Sequence, residues 1–154
     1  MPVQKLKQFL DNEQVKYVTI SHSKAFTAQE VAASAHIPGH EMAKTVMIKL
    51  DGKMAMAVLP ADHKVDFDLL MDAANAKRIE LASEDEFGDL FPGCEVGAMP
   101  PFGNLYGMQV LVEESLAEDD RIAFNAGSHT ELIRLAYKDF ERLAEPTRFK
   151  SSWA

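Results

Sequence analysis

A chain of 154 residues that is 47% hydrophobic and 26% charged has the size and composition of one ordinary globular domain, expected over residues 1–154, with a sizeable core. Its formal net charge of −8 excludes a protein that coats DNA, and its single cysteine excludes an internal disulfide, in keeping with a reducing compartment. No apolar run reaches the about eighteen residues that span a bilayer, and "MPVQKLKQFLDNEQV" lacks the apolar stretch of a secretory signal, so a cytoplasmic protein without membrane contact is expected.

In chain order, Pro2 starts a helix with Val3, Leu6, Phe9 and Leu10 on one side. "KYVTISH" alternates Val18 and Ile20 against Tyr17, Thr19 and Ser21, which predicts a strand with one buried face. Thr27 with Glu30 forms a capping box for a helix over "AQEVAASA", stopped at Pro38-Gly39. Next come "KTVMIKL", Asp51-Gly52 and "KMAMAVLP", two alternating runs around a D-G turn, which predicts a hairpin because glycine accepts the positive φ the turn needs. "KVDFDLLMDAANA" reads as a helix with Asp66 at its N-terminus, "RIELA" as a short strand, and Ser83 with Glu86 as a second capping box. "MQVLVEE", "RIAFNAG" and "TELIRLA" are three further strands, followed by a helix over "YKDFERLA" that ends at Pro146. "TRFKSSWA" reads as a weakly ordered tail in which Phe149 and Trp153 have somewhere to dock. About seven short strands with irregularly interspersed helices exclude a purely parallel, doubly wound sheet.

One residue breaks its own pattern. Alternation along "KTVMIKL" puts Lys44 on the face of Val46, Ile48 and Leu50, so the ammonium either snorkels out at the strand end or points into a cavity that receives a ligand. Three other segments bear chemistry. "GAMPPFG", Gly97 to Gly103, is a stiff turn that either aims backbone N–H groups at an oxygen or simply connects. "FNAGSHTE" presents Ser128 and His129 on a small-residue turn, where a histidine is either functional or a solvated cap. Phe26 precedes a helix N-terminus, as a stacking ring or as a hydrophobic staple.

Charge is uneven. Residues 1–64 hold eight Lys and six Asp or Glu, net +2, whereas 65–154 hold eight Lys or Arg and eighteen Asp or Glu, net −10. A nucleic acid would therefore meet the N-terminal half, through Lys5, Lys7, Lys16, Lys24, Lys44, Lys49 and Lys53, a footprint suited to one RNA end. Other chemistries lack their residues. His36 and His40 have the spacing of a helical metal pair, but Pro38-Gly39 breaks the helix between them, so no metal is expected. Cys94 has no basic neighbour and reads as a packed thiol. Ser128 and His129 are strand neighbours that point apart, so they make no nucleophilic dyad.

The order "FTAQEVA", "AKTVMIKL", "VGAMPPFG" and "IAFNAGSHTELIRLAYKDF" resembles the YbaK/prolyl-tRNA synthetase-associated domain family, over about residues 15–146. That resemblance implies a mixed α/β (α+β) fold built on a closed, mostly antiparallel six-stranded barrel with helices outside. It implies hydrolysis, without cofactor or metal, of the ester joining a wrong amino acid to the 3′ end of a tRNA. Lys44 matches the family's functional lysine, and Gly97 to Pro101 its G-x-x-x-P loop, with the N–H groups of Gly97 and Ala98 on the ester carbonyl. His129 falls where some members keep a functional histidine, and Phe26 matches an aromatic position near the terminal adenosine. Thr45, Pro100, Pro101, Phe102, Gly127 and Ser128 accompany them as substrate-binding positions. Relatives acting on Cys-tRNA carry Gly-Gly and then Ser-Pro in this loop; Gly97-Ala98-Met99-Pro100-Pro101 departs from that and favours Ala, Ser or Thr esters. Two rivals stand beside this reading: a non-catalytic module that binds an aminoacyl or nucleotide end, and a small-molecule esterase with no RNA partner. Pocket size rests on where Met47, Met56 and Ile122 lie, and the oligomeric state is not legible.

Overall fold

A computed structural model describes residues 2–22, 28–35, 37–87, 90–91, 94, 98–150 and 152–153. In chain order the elements are α1 (Pro2–Asn12), β1 (Tyr17–Ser21), α2 (Ala28–Ser34), β2 (Met42–Leu50), β3 (Lys53–Pro60), β4 (His63–Lys64), α3 (Phe67–Ala74), β5 (Ile79–Leu81), α4 (Glu84–Phe87), β6 (Gln109–Glu113), β7 (Arg121–Ser128), β8 (Glu131–Ala136), α5 (Tyr137–Ala144), β9 (Thr147–Phe149) and β10 (Ser152–Trp153). Short 3-10 turns occupy Gly103–Tyr106 and Glu114–Glu118.

The D-G turn forms as the residues dictate: Asp51 and Gly52 have φ of 50° and 83°, and β2 pairs antiparallel with β3 from Ala43–Pro60 to Leu50–Lys53. The Asp51 carboxylate also accepts the backbone N–H groups of Lys77 and Arg78, at 3.0 and 2.8 Å, which ties the turn to the start of β5. Asp66 caps α3 by accepting the Leu69 N–H at 3.2 Å, and Ser83 with Glu86 caps α4. The Thr27 capping position lies outside the described residues.

The main sheet runs β1-β8-β7-β2-β3-β6-β9, with β5 added against β2. It is mostly antiparallel, as expected, through β1 with β8, β8 with β7, β2 with β3 and β2 with β5, but β7 and β2, β3 and β6, and β6 and β9 pair in parallel. It is not the closed six-stranded barrel that the family resemblance implied. Seven strands curl into a half-barrel whose end strands β1 and β9 do not pair, because helices fill the mouth of the curl. Leu6 and Leu10 of α1 and Tyr137 and Phe140 of α5 pack there on Val58, Val112, Phe124 and Ile133 of the concave face. The convex face carries two smaller clusters: Val31 and Ala32 of α2 cover Met42, Ala123 and Leu132, and Leu70 of α3 covers Ile48, Leu59 and Leu111.

Two local expectations change. Val18 of the edge strand β1 is 58% exposed, whereas Ile20 on the same side packs against the cluster under α2. The C-terminal segment is ordered as strand: β9 lies beside β6 with Phe149 buried, and β10 pairs with β4. Among the described residues, no helix is long and apolar enough to cross a membrane.

Candidate functional site

β2 and β7 run parallel but pair at only two positions, Met42 with Ala123 and Ala43 with Phe124. Lys44 and Asn125 are the next residues on each strand, at the point where the two strands part. The parting has a local cause. The β7–β8 ladder slips between Asn125 and Ser128, and Gly127 sits in that bulge with φ of 99°, a conformation that a side chain resists. Turned out of the ladder, the Gly127 N–H donates instead to the carbonyl oxygen of Ala98, at 2.9 Å. The G-x-x-x-P loop is thereby held against the β7 bulge. On the other side, the His22 N–H donates to the carbonyl of Thr130 at 2.9 Å, so the segment leading to residue 26 starts at the same turn.

Lys44 lies on the convex face, in the row of Leu59 on β3 and beside the patch of Val46, Ile48 and Leu50, as its alternation requires. It is half-buried between the clusters under α2 and α3. Burial pushes its pKa below the ordinary lysine value, and the nearby Asp62 carboxylate works in the other direction. Among the described residues, Lys44 has no hydrogen-bonding partner. Three other lysines of the basic half are more engaged: Lys7 pairs with Glu131 at 2.9 Å, Lys49 with Glu86, and Lys5 donates to the Leu105 carbonyl at 3.2 Å.

Ala98, Met99, Pro100 and Pro101 are buried. Both prolines lack an N–H, so the donors left in this stretch are those of Ala98 and Met99, and among the described residues no acceptor meets either. Met99 packs on Met47 and Met56 together with Phe87 and Phe91, whereas Ile122 belongs to the main core. Phe102 has no surface from which to touch a substrate. Its ring meets Phe9, Phe124 and Phe140 edge-on at 6.0, 5.6 and 5.5 Å between centroids, so it anchors the loop in the core.

His129 is only 6% exposed at the β7–β8 turn, while Ser128 is partly exposed with its hydroxyl 3.3 Å from that of Thr130. Thr45 is partly buried on the concave side, opposite Val58. Phe26 and Gly97 lie outside the described residues. Of the predicted positions, Lys44 stands where β2 and β7 part, Gly127 and Ala98 are joined by a hydrogen bond further along β7, Ser128 and His129 follow at the β7–β8 turn, and Phe102 is buried in the core. Two neighbours escaped the sequence reading. Asp62, on the turn between β3 and β4, was hidden in a loop. Asn125 was visible as a residue depleted in strands inside an apolar run, but only the register sets it beside Lys44.

Elsewhere, depressions of about 430 and 320 Å³ lie over Asp119, Asp120 and Tyr137, and over Asp72, Arg148 and Phe149; neither includes Lys44. His40 pairs with Asp119 at 2.9 Å, and among the described residues no three His, Cys, Asp or Glu side chains are grouped to hold a metal.

A family profile described as an aminoacyl-tRNA editing domain matches residues 22–143. The proline–tRNA ligase of Bacillus mycoides strain KBAB4 is 28% identical over 89 residues, which is 58% of this chain and 16% of that protein. The chain thus spans about 16% of the length of the curated relatives it matches. Among solved structures, a hypothetical protein superposes with a TM-score of 0.84 at 18% identity, covering 96% of this chain and 99% of its own. A candidate trans-editing enzyme for prolyl tRNA synthetase superposes with a TM-score of 0.82 at 16% identity, covering 99% of this chain and 98% of its own.

Proposed function

The chain belongs to the aminoacyl-tRNA editing domain family, and from that premise we propose that it hydrolyses the ester of mischarged tRNA, as a trans-acting deacylase that takes Ala, Ser or Thr esters in preference to Cys. The observation that carries this reading is a half-buried lysine where β2 and β7 part, together with two buried N–H donors, those of Ala98 and Met99, on the loop that Gly127 of β7 holds; among the described residues the lysine has no hydrogen-bonding partner and the donors no acceptors.

An aminoacyl ester needs little activation. Water adds to the carbonyl carbon, the bond to the ribose oxygen breaks, that oxygen takes a proton, and the amino acid leaves. The enzyme has to place the ester and stabilise the oxyanion, and each preorganised donor contributes roughly 3 to 4 kcal/mol to such a transition state. The N–H groups of Ala98 and Met99, with Gly97 before them, are the donors assigned to that oxygen. Lys44 binds the terminal ribose or phosphate, Phe26 stacks on the adenosine, and His129 positions the ester. Thr45, Pro100, Pro101 and Ser128 shape the walls, and Gly127 holds the loop. No side chain serves as nucleophile: burial pushes the Cys94 thiol up to about 11, far from thiolate at neutral pH. The preference for Ala, Ser or Thr over Cys rests on the loop sequence Gly97-Ala98-Met99-Pro100-Pro101, which departs from that of relatives acting on Cys-tRNA, and Met99 packs there with Met47 and Met56.

The test is release of amino acid from a panel of tRNAs charged with Ala, Ser, Thr or Cys, by wild type and Lys44→Ala. Selective release by wild type that falls at least tenfold in a folded variant is expected. No release from any tRNA overturns the deacylase and leaves a binding module, and equal release from free aminoacyl esters shifts the reading to an esterase that needs no RNA.

A further inference from the structure

We infer that Asn125 and Asp62 form a receptor for the α-ammonium group of the aminoacyl ester, a specificity that neither Lys44 nor the loop supplies. The inference rests on the deacylase reading above. Asn125 lies on the interior strand β7, within a buried run, and is only 8% exposed. Its amide oxygen Oδ1 is fully occluded and, among the described residues, accepts no hydrogen bond. A buried acceptor left without a donor is costly, so such a group in a ready-made site points to a donor that arrives with a ligand.

Its surroundings say which donor. Asn125 shares the convex face with Ala123 two residues earlier, and Lys44 stands level with it on β2, one residue past the last ladder pair. Asp62 comes to Lys44 from the turn after β3, close enough for its carboxylate to act on the lysine; among the described residues its Oδ1 accepts no hydrogen bond, with His63 Nε2 3.9 Å away. Two acceptors without a hydrogen-bond donor among the described residues therefore border Lys44. Asp62 offsets the Lys44 charge, so a second cation enters a nearly neutral pair. The Arg134 guanidinium in the neighbouring row pairs with Glu41 at 3.0 Å through one terminal nitrogen, which balances its charge, while its Nε has no hydrogen-bond partner among the described residues. A group with several donors and a positive charge suits two acceptors, one of them anionic; a ribose hydroxyl offers one donor and no charge. The α-ammonium is the part of an aminoacyl ester with that chemistry, and it lies one carbon from the carbonyl that the Ala98 loop would hold.

The experiment compares alanyl-tRNA, propionyl-tRNA, which has hydrogen in place of the ammonium, and alanyl-tRNA ending in 2′-deoxyadenosine. Wild type, Asn125→Leu and Asn125→Asp are assayed on each, with circular dichroism as the check on folding. Asn125→Leu is expected to lower kcat/KM at least tenfold on both alanyl esters and to leave the propionyl ester within twofold of wild type. Asn125→Asp, which keeps an acceptor of the same size, is expected to stay within threefold on alanyl-tRNA. Should Asn125→Leu fail to fold, Asp62→Asn on the turn carries the same comparison. Equal losses on alanyl and propionyl esters overturn the ammonium receptor, as does a loss that disappears only with the 2′-deoxy substrate, which would assign Asn125 to the ribose. Absence of turnover by wild type on every substrate is a different result and overturns the deacylase itself.

Discussion

Replacing Gly127 by alanine puts a Cβ on a residue with φ of 99° and strains the bond that fixes the G-x-x-x-P loop. Positive φ costs an L-residue about 1–2 kcal/mol and the lost hydrogen bond about 0.5–1.5, while the stiffer unfolded chain returns about 0.4–1, leaving a net loss near ~2 kcal/mol. At this size that lowers Tm by roughly 4–8 °C. Under the proposed function the catalytic effect is larger, because a bulge that relaxes would carry the Ala98 and Met99 donors away from the ester, and a misplaced oxyanion donor costs on the order of 10²–10³ in kcat. Thermal unfolding and single-turnover release of alanine from mischarged tRNA measure the two effects separately. Ser128→Ala, one residue along and unstrained, is the control and should shift stability by no more than about 0.5 kcal/mol. A Gly127→Ala protein with wild-type Tm and wild-type rate would refute the reasoning. A lowered Tm with an unchanged rate per folded molecule would keep the strain and remove the loop from the chemistry.

Lys44→Met removes a cation that burial disfavours but also leaves the Asp62 carboxylate without its counter-charge, so Tm is expected to stay within about 2 °C of wild type while activity collapses; a larger fall in Tm would show that the attraction to Asp62 outweighs the desolvation. Phe102→Ala opens a cavity among three rings and should cost about 3–5 kcal/mol in denaturant titration, with the loop's activity lost alongside. Glu86 bears on pH: its bond from Lys49, and then the Ser83 N–H, hold its carboxyl at about 2, below the ordinary 4.5. Its depressed pKa means that its contribution is present above pH 4.5 and lost as pH falls towards 2, so wild type should unfold above Glu86→Gln at neutral pH and with it near pH 2.

How much of this was legible differs by element. The hairpin was, because Asp51-Gly52 admits few other conformations, and Lys44 was, because a lysine in an apolar alternation contradicts its neighbours. β9 and β10 were not: each is too short to show a period, and their partners β6 and β4 lie far off in sequence. The open curl was hidden for the same reason, since the parallel pairs β7 with β2, β3 with β6 and β6 with β9 join distant segments with no turn to announce them. At the site, two prolines before an aromatic fit a stacking ring as well as a core anchor, and only packing gives Phe102 to the core. Asn125 stood in plain view in "RIAFNAGS", yet its meaning depends on a register of two residue pairs.

That short β2–β7 ladder also bears on how the protein comes into being. The β2–β3 hairpin closes locally and can form early, but Lys44 meets Asn125 and the Ala98 loop only when the two halves of the chain dock, and such non-local pairing is slow and late in folding. A partly folded chain would therefore carry its hairpin and its lysine with no loop or bulge opposite them. Recovery of esterolysis after denaturation should lag behind recovery of secondary structure, and the lag is the time the two halves take to find each other.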